Sequence, residues 1–206
     1  AAIAALVGGR RDPWMRLLGY PRNRGKGFAV RTGVEAAGGD WILMSDADLS
    51  TPLEDWVRLR AALEAGADVA CGSRAVPGAR IGLPPPPHRR LLSRLFNLLV
   101  RIAGVDGIRD TQCGFKLFRA PVAKALFPRL RTRRFAFDVE LIALARDLGY
   151  RVAEVPVRWD YSGHSTVRLF SSGFRMLFDL GRLAARRLVF GRARRAGIGG
   201  TKGEGR

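Results

Sequence analysis

The sequence predicts an α/β fold, a mixed sheet with helices on both faces. Short apolar runs of strand length alternate along the chain with segments of helical length. Strands separated by helices lay down a sheet covered on two sides. A second observation is positional. Two carboxylates, Asp46 and Asp48, stand where the apolar run Trp41-Ile42-Leu43-Met44 leaves through Ser45 into a loop.

The elements follow in order. After the glycine-rich turn Asn23-Arg24-Gly25-Lys26-Gly27, Ala29 to Ala37 reads as a helix. Trp41 to Ser45 is a buried strand, and Leu49-Ser50-Thr51-Pro52 turns the chain into a helix from Leu53 to Ala65, ended by Gly66. Asp68 to Gly72 is a short strand, and Pro84 to Pro87 a stiff loop between two halves. Leu91 to Ile102 is an amphipathic helix, and Gly114 to Phe118 a strand. Phe137 to Leu148 is a helix stopped by Gly149, and Arg151 to Val157 a strand. There is no internal repeat.

Composition bounds the function. A chain of 206 residues with 47% apolar residues suits one domain with a real core. The formal charge of +18, from 36 Lys+Arg against 18 Asp+Glu, implies an anionic partner: nucleic acid, an anionic membrane or a phosphorylated substrate. No RNP, KH or helix-turn-helix signature is present and the basic residues are scattered, so a nucleic-acid module is set aside. Cys71 and Cys113 stand alone, without zinc spacing, and read as two free thiols suited to a reducing compartment, with a single disulfide as the alternative. No run of 18 apolar residues encodes a membrane span, and Ala1 to Val7 lacks the basic start of a signal peptide.

Two carboxylates two residues apart at a strand end can share one hard cation, Mg²⁺ or Mn²⁺, which often bridges a carboxylate to a substrate phosphate. Asp46 and Asp48 could also cap the following helix. The loop before the first helix carries Lys26 and suits phosphate, through backbone N–H groups and the lysine, although it is not a Walker A loop. Gly72-Ser73-Arg74 places an arginine after a strand, where it could pair with a phosphate or form a surface ion pair. Asp110-Thr111-Gln112-Cys113-Gly114-Phe115-Lys116 is a polar loop entering a strand. Asp138 and Glu140 open a helix as a charge pair, with Asp138 alternatively facing the site. Cys113 reads as a packed small side chain, His164 as a turn residue, and Trp159 as either a substrate platform or a cover for the sheet edge.

Taken in order, NRGKGFAVRTG, GDWILMSDADLSTP, GSR, RRLLSRLFN, DTQCGFKLFR, FAFDVELIALARDLGYRVAEVPV and the Gly163-His164-Ser165 turn resemble family 2 glycosyltransferases that load sugar onto a polyprenyl phosphate. The likeness is to the dolichyl-phosphate glucosyltransferase branch, with dolichyl-phosphate mannose synthases as cousins, and spans Asn23 to about Arg168. It implies a GT-A (Rossmann-like) fold and inverting transfer from a nucleotide sugar to a lipid phosphate. UDP-glucose is the favoured donor, GDP-mannose the runner-up, and an inactive partner subunit a third reading. The resemblance also assigns roles. Asp46 and Asp48 hold the metal on the donor diphosphate, and Lys26 contributes to nucleotide-sugar binding. Arg74, Arg89, Ser93 and Arg168 surround the acceptor phosphate, and Asp110 orients sugar or acceptor, with a base role possible but not required.

One departure matters. Family members begin with two strands that cradle the nucleobase and ribose, and neither is found here; Ala1 to Leu6 resembles the helix tail that follows them. The expectation is a catalytic domain over 1–166 that lacks its N-terminal nucleotide-binding strands, with open sheet edges. Beyond it, 167–191 reads as a basic amphipathic helix, packing on the core or lying in an anionic membrane surface, and 192–206 as a disordered basic tail. Peripheral attachment to the cytoplasmic face of a membrane follows.

Overall fold

The computed structural model describes residues 16–84, 86–102, 105, 107–134, 136–160, 178–182 and 184–185. Helix α1 (Lys26–Ala36) starts three residues before the sequence suggests, because Gly25 at its N-cap takes φ 94° and turns the chain at once. The Phe28 N–H donates to Arg133 O across that turn. Strand β1 (Trp41–Ser45) leads to a single 3₁₀ turn (Leu53–Asp55) and helix α2 (Trp56–Glu64). The expected helix from Leu53 is thus split, with the buried Asp55 carboxylate accepting from the Arg158 backbone N–H at 2.6 Å and from its Nε at 2.9 Å.

Strand β2 (Val69–Ser73), the short β3 (Arg80–Ile81) and helix α3 (Pro87–Ile102) come next. The proline run is therefore not all loop. Pro87 begins α3, where a missing N–H removes no helical hydrogen bond. Strand β4 (Phe115–Arg119), helix α4 (Ala120–Leu126), helix α5 (Phe137–Asp147), strand β5 (Val152–Pro156) and the short β6 (Arg158–Trp159) complete the described elements.

The main sheet runs β1-β4-β2-β5, with β4 antiparallel to both neighbours and β2 parallel to β5; β3 and β6 form a separate parallel pair. Among the described residues β1 is an edge strand. The strand period of two divides the core. Ile42, Met44, Val69, Cys71 and Phe118 face a cluster with Val34, Val100, Leu126 and Ile142, whereas Ala70, Phe115, Leu117 and Val155 face Leu59 and Leu63 of α2. Helices therefore cover both faces, as the alternation of runs predicts. The expected helix over 167–191 falls mostly outside the described residues. Within it, 178–182 and 184–185 are helical, and Leu180 is buried in the larger cluster.

Candidate functional site

The site lies where β1, β2 and β4 end in loops. Asp46 follows β1 directly, and its N–H donates to Gly114 O at 3.0 Å, which ties it to the loop entering β4. The chain then turns sharply. The Leu49 N–H reaches Asp46 O at 3.1 Å, the Ser50 N–H reaches Asp48 Oδ1 at 3.1 Å, and Leu49 sits at φ 48°. A leucine in the left-handed region is strained backbone, held there by the flanking bonds. The turn presents both carboxylates to one cavity of about 100 Å³, lined also by Thr51, Arg74, Gln112 and Trp159.

Lys26, in the first turn of α1, reaches Asp46 Oδ1 at 2.7 Å. Gly114 makes the carboxylate's position possible, since a Cβ there would run into Asp46. Gly114→Ala is accordingly expected to displace the Asp46 carboxylate and break its ion pair with Lys26, with little change in melting temperature. A crystal structure of the variant measures the displacement.

Arg74, directly after β2, does not stand free. Its Nε and Nη2 grip Asp110 at 2.6 and 2.8 Å, its N–H donates to the same carboxylate at 3.0 Å, and its guanidinium lies 5.2 Å from the centre of the Trp159 ring. Burial acts to raise the Asp110 pKa, but the Arg74 charge and hydrogen bonds outweigh it and hold the carboxyl below the usual range. Arg74 is raised in turn: burial works against its charge and Asp110 overrides it. Asp110 itself does not line the cavity; it holds the Arg74 guanidinium, which does. Glu154 of β5 completes the support by accepting the Arg109 and Asp110 N–H groups at 2.9 and 2.8 Å.

Beneath this loop lies an ion pair that sequence reasoning missed. Lys116 alternates with Phe115 and Leu117 on β4 and so points to the face covered by α5. Its Nζ donates to Asp138 Oδ1 at 2.6 Å, Cys113 O at 2.6 Å and Thr111 O at 3.2 Å, with both side chains buried. Burial would lower the Lys116 pKa, but Asp138 reverses this and pushes it to about 12. Burial raises that of Asp138 against the pull of Lys116 and then Lys26. Asp138 thus serves neither as a helix-end charge alone nor as a group lining the cavity. Glu140 accepts from the Arg131 and Thr132 N–H groups.

Burial pushes the Cys113 thiol up to about 11 and that of Cys71 to about 12, so neither supplies a thiolate near neutral pH. Cys113 is a packed side chain, as expected. Gln112 was named only as part of its loop, yet its Nε2 is buried with no partner while the residue lines the cavity. Of the expected acceptor residues, Ser93 is exposed on α3, Arg89 lies on the same helix with its side chain outside the described set, and Arg168 falls outside the described residues, as does His164.

Comparison with known proteins matches the chain to "Glycosyl transferase family 2" over residues 7–127. It is 38% identical to a dolichyl-phosphate beta-glucosyltransferase of Trichomonas vaginalis over 84% of this chain and 53% of that protein. A Drosophila melanogaster protein of the same name is 40% identical over 85% of this chain and 56% of its own length, and the Homo sapiens one 38% over 81% and 53%. The chain thus spans about half the length of these relatives. In fold it is similar to UDP-bound glucosyl-3-phosphoglycerate synthase from Mycobacterium tuberculosis, with a TM-score of 0.58 and 18% identity over 82% of this chain and 56% of that one. By the extent of these matches, and by the motif order along its strands and loops, the chain belongs to glycosyl transferase family 2.

Proposed function

We propose that the protein transfers glucose from UDP-glucose to the phosphate of a polyprenyl lipid, with inversion at the sugar, on a GT-A type fold at the cytoplasmic face of a membrane. One observation carries this reading: a single cavity gathers two carboxylates, an arginine locked in place and an unpaired amide donor. The names of the relatives support the substrate pair.

The two carboxylates of one cavity fit a hard divalent cation, Mg²⁺ or Mn²⁺. No group of three or more His, Cys, Asp or Glu side chains that could hold a metal occurs among the described residues, so substrate oxygens would supply the remaining ligands. Asp46 and Asp48 would hold it, and when bound it offsets charge building on the departing nucleotide. Lys26, beside Asp46, adds positive charge toward the donor diphosphate.

In the transfer, an acceptor phosphate oxygen forms the bond to the anomeric carbon as the bond to the diphosphate oxygen breaks. The second phosphate pKa is about 6, so the nucleophile is already an anion near neutral pH and needs no base. Positioning and positive charge are what the protein supplies. Asp110, whose carboxylate is committed to Arg74, is suited to fixing that guanidinium rather than to accepting a proton. Gln112 Nε2 is suited to donate to a sugar hydroxyl or phosphate oxygen.

Gln112→Leu therefore separates function from stability. Removing an unpaired buried amide is expected to stabilise the fold by about 1 kcal/mol, read by urea denaturation, while lowering kcat/KM for the donor at least about tenfold. The reading itself is tested by incubating the chain with radiolabelled UDP-glucose, or GDP-mannose in parallel, a short prenyl phosphate and Mn²⁺, then extracting lipid. Glucose label in the lipid phase, absent from Asp48→Ala, supports it; mannose label, or none from a folded protein, overturns it.

A further inference from the structure

Outside the cavity, exposed apolar side chains gather in one place. Of the thirteen large hydrophobic side chains exposed among the described residues, six lie between Ile81 and Leu98. Helix α3 accounts for most of them, and it has two apolar faces. Phe96, Leu99 and Val100 pack on the core, whereas Leu91 (68% exposed), Leu92 (48%), Leu95 (51%) and Leu98 (51%) face solvent. Residues 91, 95 and 98 follow the helical repeat and form one stripe, with Leu92 at its margin. Ile81 and Leu83, just ahead of the helix, are exposed as well.

Charge completes the pattern. From Val69 to Val105 the sequence holds six arginines, 74, 80, 89, 90, 94 and 101, and no aspartate or glutamate. By the same repeat, positions 90, 94 and 101 fall together on the helix face beside the leucine stripe. Leucines beside these arginine positions complement a surface of acyl chains under anionic headgroups, while at the far edge the Asp160 carboxylate accepts from the Leu83 N–H at 3.2 Å. A protein partner would have to bring its own acidic rim to match these arginines.

We infer that the outer face of α3, with Ile81 and Leu83, docks on an anionic phospholipid surface and is, among the described residues, the part that seats the site at the membrane. The inference rests on the proposed lipid acceptor. A second observation joins the surface to the site. Leu98, Asn97 and Arg101 of α3 line a cavity of about 360 Å³ with Ala75 and Arg109, the residues directly beyond Arg74 and before Asp110. The leucine stripe thus runs from the surface to the edge of the Arg74–Asp110 pair, a path along which an acyl chain in the bilayer could present its phosphate.

Flotation of the 206-residue chain with phosphatidylcholine vesicles, with and without phosphatidylglycerol, tests this. The chain is expected to float with the anionic vesicles and hardly with the neutral ones. Leu91→Gln/Leu92→Gln/Leu95→Gln is expected to lower binding at least about tenfold. Its melting temperature, and its transfer to a short water-soluble prenyl phosphate, should match the parent chain. Unchanged flotation of the triple variant overturns the inference, as does loss of binding confined to Phe178→Gln, a change at the exposed phenylalanine of the helical 178–182 segment. A triple variant that differs only in self-association on ultracentrifugation also overturns it, in favour of a second copy as occupant. Lost flotation in a protein that transfers no sugar to the soluble acceptor supports the docking surface while removing the proposed function.

Discussion

Asp138→Leu is expected to destabilise the protein by about 3–5 kcal/mol, because it strands the Lys116 ammonium inside the sheet. Lys116 is fully buried and flanked across the ladder by Met44 and Cys71, so no water replaces the lost carboxylate. Lys116→Met/Asp138→Leu should recover most of that loss, since replacing both charges with apolar groups of similar volume removes the desolvation penalty together with the attraction. Urea denaturation of the two variants gives both numbers. Activity should not recover with stability. The Lys116 ammonium also holds the Thr111 and Cys113 carbonyls, which set the course of the loop carrying Asp110 and Gln112. The double variant is therefore expected to fold and yet transfer sugar at least about tenfold more slowly. If it is fully active, Lys116 serves the fold alone.

The second large effect belongs to Asp110. Its folded pKa lies below that of the unfolded chain, so the unfolded state binds more protons as the medium is acidified. The stability this carboxylate contributes is complete above the unfolded pKa, about 4. It is lost as pH falls through the folded value. Asp110→Asn removes that dependence and leaves Arg74 partly uncompensated. Because Arg74 is partly exposed, the expected loss near neutral pH is about 2–3 kcal/mol, less than for a fully buried pair. Below pH 4 the difference between variant and parent should shrink. Chemical denaturation between pH 3 and pH 7 measures it, and a constant difference across that range would contradict the assignment.

The strands and the carboxylate pair were legible because each depends on local pattern. The apolar run Trp41 to Met44 and the exit at Ser45 need no distant partner to be read. Element starts were harder. Gly25 begins α1 earlier through its positive φ, and Pro87 opens α3 from within what reads as a loop. Charged groups were least legible, since their roles depend on residues far along the chain. Lys116 reads only as the end of a polar loop entering a strand, and its burial shows once Asp138, twenty-two residues on, is folded against it. Glu154 reads as part of a strand, yet it accepts the N–H groups of Arg109 and Asp110. Arg74 reads as a phosphate partner or one half of a surface ion pair, and the fold commits it to Asp110, a partner the local pattern does not name.

The central claim is that Asp46 and Asp48 together hold the cation that carries the donor diphosphate. Crystals of the chain grown with Mn²⁺ and UDP, measured by anomalous scattering at the manganese edge, test it most directly. The account predicts a manganese peak within bonding distance of both carboxylates, with diphosphate oxygens completing its shell and the Lys26 ammonium turned toward phosphate. Manganese and UDP bound elsewhere, with Asp46 and Asp48 contacting neither, would contradict it.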